Sequence, residues 1–131
     1  MAGSISNAYE TNLLNWLLTS TAVTRPTTWY VGLFTDAAGI SSDQPATEAT
    51  TGVCPGYARQ SVTLAVSGNT AQNSNAPTFT ATGAWSTVRY FGIFDAASAG
   101  NLIAWGDITA KTLANTDQLK FDINQITITL D

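Results

Sequence analysis

The sequence predicts a mainly β protein, an antiparallel, jelly-roll-like β-sandwich with one N-terminal α-helix. Three observations lead there. From residue 28 onward the apolar residues fall into short runs punctuated by Gly, Pro and Asn. Threonine, β-branched and polar, fills 21 of the 131 positions, which suits a solvated strand face. No helical stretch separates the runs, as parallel crossovers would require. The length fits a single domain over residues 1–131, and 44% apolar content is enough to bury a core without disulfides or metal.

Residues 1–6 read as an N-terminal arm. A helix is expected over 7–18, with Asn7 as its cap, Glu10 reaching back to it, and Tyr9, Leu13, Trp16 and Leu17 on one face. That face must pack on the sheet or on another subunit. Asn12 and Asn15 interrupt its apolar run, which lacks a basic flank and falls well short of the ~20 residues that cross a bilayer. Residues 19–28 form a connector in which Thr24, Arg25 and Pro26 stop the helix.

Strands are predicted over 28–35, 57–66, 70–73, 78–80, 88–94, 102–106, 118–121 and 125–130. In the last, Ile126, Ile128 and Leu130 point inward and Thr127 and Thr129 outward. Residues 36–56 hold Gly39, Pro45, Gly52 and Pro55 without periodicity, so they read as a long loop of the kind that is functional or mobile.

Two strands repeat a Tyr-x-Gly-aliphatic-Phe core, at 30–34 and 90–94, and each is followed closely by Asp-Ala-Ala. Gly32 and Gly92 would let a bulky neighbour approach. The two runs are expected to be equivalent central strands, each ending at a turn begun by its Asp, Asp36 or Asp95.

Charge is sparse. Charged residues make up 11% of the chain against about 25% in ordinary domains, and the net charge is −4. Its five Lys and Arg residues are scattered singly, which excludes nucleic-acid binding by phosphate neutralisation. With no His there is no Ser-His nucleophile pair, and the lone Cys54 can form neither an internal disulfide nor a cysteine zinc site. Gly52, Pro55 and Gly56 lack the Lys and hydroxyl of a phosphate cradle, so no cofactor is expected. Asp36, Asp43 and Glu48 share the long loop and would be the carboxylates of a glycosidase, or else solvated loop acids.

The runs 29–35 and 89–95, the segment Gly56-Tyr57-Ala58-Arg59-Gln60, the Gly100-Asn101-Leu102 turn and the ending 119–131 together resemble a family of small phage structural proteins. The resemblance covers nearly the whole chain, from Leu13 to the last residue. It implies a virion component assembled in the host cytoplasm, with no enzyme activity. Some members are tail-fibre-like, and similar small jelly-roll proteins act as capsid cement or decoration proteins.

On that basis the chain is expected to be a cement protein that binds the major capsid protein as a dimer or trimer. The alternative is a tail-fibre or baseplate component that binds host glycans through aromatic and Thr-rich loops. Partner contacts are expected at Ile5, Trp16, Asp43, Glu48 and Cys54. Structural roles are expected for Gly32, Gly56, Tyr57, Arg59, Gly92 and Asp95, with Arg59 pairing with Asp95 or with turn carbonyls.

Overall fold

The computed structural model describes residues 2–40 and 43–130. These form β1 (Ala2–Ile5), α1 (Asn7–Leu18), β2 (Tyr30–Phe34), β3 (Gln60–Ser61), β4 (Leu64–Ser67) and β5 (Thr70–Asn73). After these come β6 (Thr78–Thr80), β7 (Val88–Phe94), β8 (Leu102–Lys111), β9 (Gln118–Lys120) and β10 (Thr127–Thr129). Among the described residues the strands make one eight-stranded sheet, in the order β3-β2-β7-β8-β1-β10-β5-β4, and the two-stranded ribbon β6-β9.

The two outer strands of the large sheet, β3 and β4, are separated in sequence by Val62 and Thr63 alone. Three Cα steps span at most about 11 Å, so the sheet must curl until its edges nearly meet. Its halves thus face each other as the layers of a sandwich, and one run of chain turns the corner between them. The interior holds one cluster that includes Val31, Leu33, Phe91, Ile93, Ile126 and Ile128, with Phe79 and Leu119 supplied by the ribbon. Phe79 meets Phe121 and Trp85 edge-on at 6.4 and 6.5 Å, the arrangement aromatic quadrupoles favour.

The repeated motifs are direct neighbours. β2 and β7 pair antiparallel with Tyr30 opposite Phe94, Gly32 opposite Gly92 and Phe34 opposite Tyr90. Val31, Leu33, Phe91 and Ile93 face the core, while Phe34 and Phe94 share the outer face and stack across the glycine pair at 5.8 Å. Both are nonetheless buried, and the Arg59 guanidinium lies over the Phe94 ring. Strands buried on both faces read as near-continuous apolar runs, which is why Tyr30–Phe34 and Val88–Phe94 stand out in the sequence.

Three expectations are corrected. Ala2–Ile5 is no arm: it pairs antiparallel with β8 and parallel with β10, in the interior of the sheet. The helix cap is Ser6, not Asn7. The Ser6 hydroxyl accepts from the Tyr9 amide at 3.4 Å and donates to the Leu102 carbonyl at 2.6 Å, so one side chain both starts the helix and ties it to β8. Leu130 is half exposed and lies beyond the end of β10.

Residues 36–40 and 43–56 carry no named helix or strand, but they are tied to the sheet. The Asp36 carboxylate accepts the Ala46 and Thr47 amides at 3.0 Å each, and residues 47–49 then pair with β2 through Thr35 N–H to the Thr47 carbonyl and Ala49 N–H to the Leu33 carbonyl. β3 has ended by then, so the segment takes over the edge of β2. These bonds satisfy amides that would otherwise be orphaned. Met1, Ser41, Ser42 and Asp131 lie outside the described residues.

Candidate functional site

Glu48 is brought by the bridge to Phe34 over the outer face of β2. Its Oε1 accepts from the Tyr57 hydroxyl and the Arg59 Nε, and its Oε2 from the Arg59 Nη2, all at 2.7 Å. The remaining Arg59 nitrogen donates to the Ala96 and Ala99 carbonyls at 2.8 Å, and the guanidinium lies 3.5 Å above the Phe94 ring centre. Arg59 thus locks the 36–56 segment, strand β7 and the β7–β8 turn together, using its planar fork and its face at once. It does bind turn carbonyls, but its carboxylate partner is Glu48 rather than Asp95. Burial first, and then the hydrogen bond to Glu48, push the Tyr57 hydroxyl well above its ordinary value, so it stays a donor to Glu48.

Asp95 builds a second junction. Its carboxylate accepts the Asn101 amide at 2.7 Å, the Asn101 side chain at 3.1 Å and the Tyr9 hydroxyl at 3.2 Å, joining α1 to the β7–β8 turn. Burial works against ionisation, but the bonds from Asn101 and Tyr9 outweigh it and hold the carboxyl below its ordinary value. Burial likewise raises the Tyr9 hydroxyl, helped by the charge of Asp95.

Gly56 sits at φ +85°, and an added Cβ would lie 2.8 Å from the Thr82 side chain, so only glycine makes this turn into the following strand. Gly32 and Gly92 are positions of close approach. A Cβ at Gly92 would meet Phe34 and Leu102 at 2.6 Å, and one at Gly32 would meet Phe94 and the Tyr57 hydroxyl at 2.8 Å.

The expected contact residues scatter. Ile5 lies in β1 opposite Ala104, packed against the core, and Glu48 is consumed by Arg59 and Tyr57. Cys54 is fully buried and its thiol is raised by burial, so it offers nothing to a partner. Asp43 is exposed. With Asp36 capping backbone amides and Glu48 ion-paired, the loop carboxylates do not form the free pair that glycoside hydrolysis needs.

Trp16 is the exception. It is 61% exposed, with Leu14, Leu17 and Leu18 exposed by 59, 64 and 75%, and no residue of α1 is fully buried. Tyr9, Leu13 and Trp16 also wall an apolar groove of about 220 Å³ against Val23–Pro26 of the connector. The helical periodicity marks this apolar row; what it cannot reveal is that the sheet leaves most of it uncovered. No helix among the described residues is long and apolar enough to cross a membrane.

What the fold defines is a β-module whose Glu48, Arg59 and Asp95 side chains are committed to internal junctions and whose one helix leaves apolar residues exposed. The chain belongs to the family described as podophage GP4 fiber I protein gp80, whose model matches residues 4–129. It is therefore a phage fibre protein by family, a structural component of the virion. Comparison with curated proteins gives no match.

Proposed function

We propose that this chain works in the tail of the phage particle, as a fibre or baseplate component without enzymatic activity. The family match, which spans residues 4–129, is the observation that supports the reading. It favours the fibre over the capsid cement role that the small jelly-roll resemblance also allowed, and nothing in the fold favours binding to the major capsid protein. The geometry agrees with a passive part: a wrapped sheet and two polar junctions in which Glu48 and Asp95 are already bonded.

For contact with host glycans, the surface to probe is a groove of about 480 Å³ bounded by Thr27, Thr28, Trp29, Tyr30, Ser61 and Thr63. Its aromatic rings and hydroxyls are the two kinds of group a sugar engages through its faces and its OH groups. Immunogold labelling of intact particles with antibody to this chain tests the placement. Label on the tail is expected, and label spread over the head surface would overturn it.

A further inference from the structure

The connector after α1 runs beside the helix and leaves a groove whose polar groups the fold does not use up. Tyr9, Asn12, Leu13 and Trp16 recur at the spacings that place residues on one face of a helix, and that face borders Val23–Pro26. The groove has an apolar end of about 220 Å³, walled by Leu13, Trp16, Val23 and Pro26, and a polar end of about 330 Å³ that reaches Asp95 and Asn101. Tyr9, Asn12 and Arg25 border both ends, so the two are continuous. Together they fall in the size range of pockets that hold small ligands.

Several of its polar groups have capacity to spare. The half-buried Asn12 amide and the exposed Arg25 guanidinium make no hydrogen bond or ion pair with any described residue. The Asp95 carboxylate accepts one bond on Oδ1, from the Asn101 amide, and two on Oδ2, from Tyr9 and the Asn101 side chain. A carboxylate has about four acceptor sites, so one is left on Oδ1. The same bonds, with that from Thr28 Oγ1 to the Asp95 carbonyl, fix this acceptor in place before any ligand arrives.

We propose that this groove binds an uncharged sugar unit, with one face of its ring on Trp16 and its hydroxyls toward Asn12, Arg25, Asp95 and Asn101. A hydroxyl both donates and accepts, and the groove offers both: donors on Asn12, Arg25 and Asn101, acceptors on Asn12, Asp95 and Asn101. The C–H face of a sugar ring is apolar, which suits an indole that is widely exposed beside Leu13 and Val23. A purely apolar ligand would leave the polar end unpaired. Charge selects among sugars. Arg25 and Asp95 are the only formal charges bordering the groove, and an acidic unit attracted by one is repelled by the other. The inference rests on the reading that the chain meets host glycans, and it names a different groove from the one bounded by Trp29 and Tyr30.

Nitrogen-15 NMR of the full chain tests it, because each of the four tryptophans carries an indole N–H that reports on its own surroundings. Maltotriose, mannotriose and triacetylchitotriose are titrated in separately, with trigalacturonate as the acidic comparison, and the Trp16 signal is assigned from Trp16→Phe. At least one uncharged trisaccharide is expected to shift the Trp16 signal saturably at millimolar concentration, with Trp85 and Trp105 unmoved. Asn12→Ala and Trp16→Ala, read from backbone amides, are expected to weaken that binding several-fold with the β circular dichroism retained. Should either variant fail to fold, the Trp16 shift in the wild type decides. Folded variants that bind as the wild type does would overturn the proposal. So would silence toward every uncharged sugar, or a response to trigalacturonate alone. A shift of Trp29 with Trp16 unmoved would overturn this site while leaving the glycan reading in place. None of these results bears on the placement in the tail, which the labelling of particles tests separately.

Discussion

Gly32 stands directly opposite Gly92 in the β2–β7 ladder, and the rings of Phe34 and Phe94 close over the gap that the two absent side chains leave. The repeated motif is thus a single packing device split between two strands. On one side it feeds the core; on the other it makes the floor on which Arg59 stacks.

Alanine at position 92 would place a Cβ 2.6 Å from Phe34 and Leu102. Overpacking of this kind costs about 1–3 kcal/mol. Gly92→Ala is expected to lower the urea midpoint accordingly with an unchanged slope, and Phe34→Leu in the same chain to recover part of the loss. A Gly92→Ala protein as stable as the wild type would contradict the packing described.

Arg59→Lys removes the fork and leaves a single point charge beside Glu48. Losing one member of a buried pair costs about 3–5 kcal/mol; since the Glu48 side chain is 28% exposed, we expect about 1–3. Chemical denaturation of Arg59→Lys, Glu48→Gln and the double variant should show coupling between the two sites, the double loss falling short of the sum of the singles. Strict additivity would mean that the pair does not act as one unit.

The Asp95 carboxyl is held below its ordinary value of 3.8 in the folded chain. A group depressed in this way adds stability above its unfolded value, and that contribution disappears as pH falls through the folded one. Unfolding free energy should therefore drop below about pH 4. In Asp95→Asn the drop should be smaller, with lower stability at neutral pH. Equal acid sensitivity in both proteins would count against the junction.

Cys54 is completely buried and its thiol is raised. Labelling by an aromatic disulfide reagent at pH 8 should run roughly a hundredfold slower in buffer than in denaturing urea, because it must wait for an opening of the fold. Prompt labelling in buffer would mean that the 36–56 segment does not stay seated.

How much of this the sequence discloses depends on where each element finds its stability. Strands 70–73, 78–80 and 88–94 are legible at their observed bounds, since their own apolar residues and the flanking turn residues define them. β1 is not, because Ala-Gly-Ser-Ile has no alternation and becomes a strand only through the ladders of β8 and β10 on either side. The long segment lacks periodicity for a similar reason: Asp36, the β2 edge and Arg59 hold it by bonds that do not repeat. For Arg59 the sequence shows a charge entering a strand, but the choice of Glu48 over Asp95 belongs to the bridge at Phe34, a contact between distant residues. Of the expected contact residues, Trp16 alone combines wide exposure with an apolar setting, for helical spacing marks a face without saying what covers it.

The proposed place of this fibre-family chain is the tail. Quantitative mass spectrometry of separated heads and tails tests it most directly. The chain is expected in the tail fraction and absent from washed heads. Hundreds of copies retained on heads that lack tails would contradict it and restore the capsid cement role.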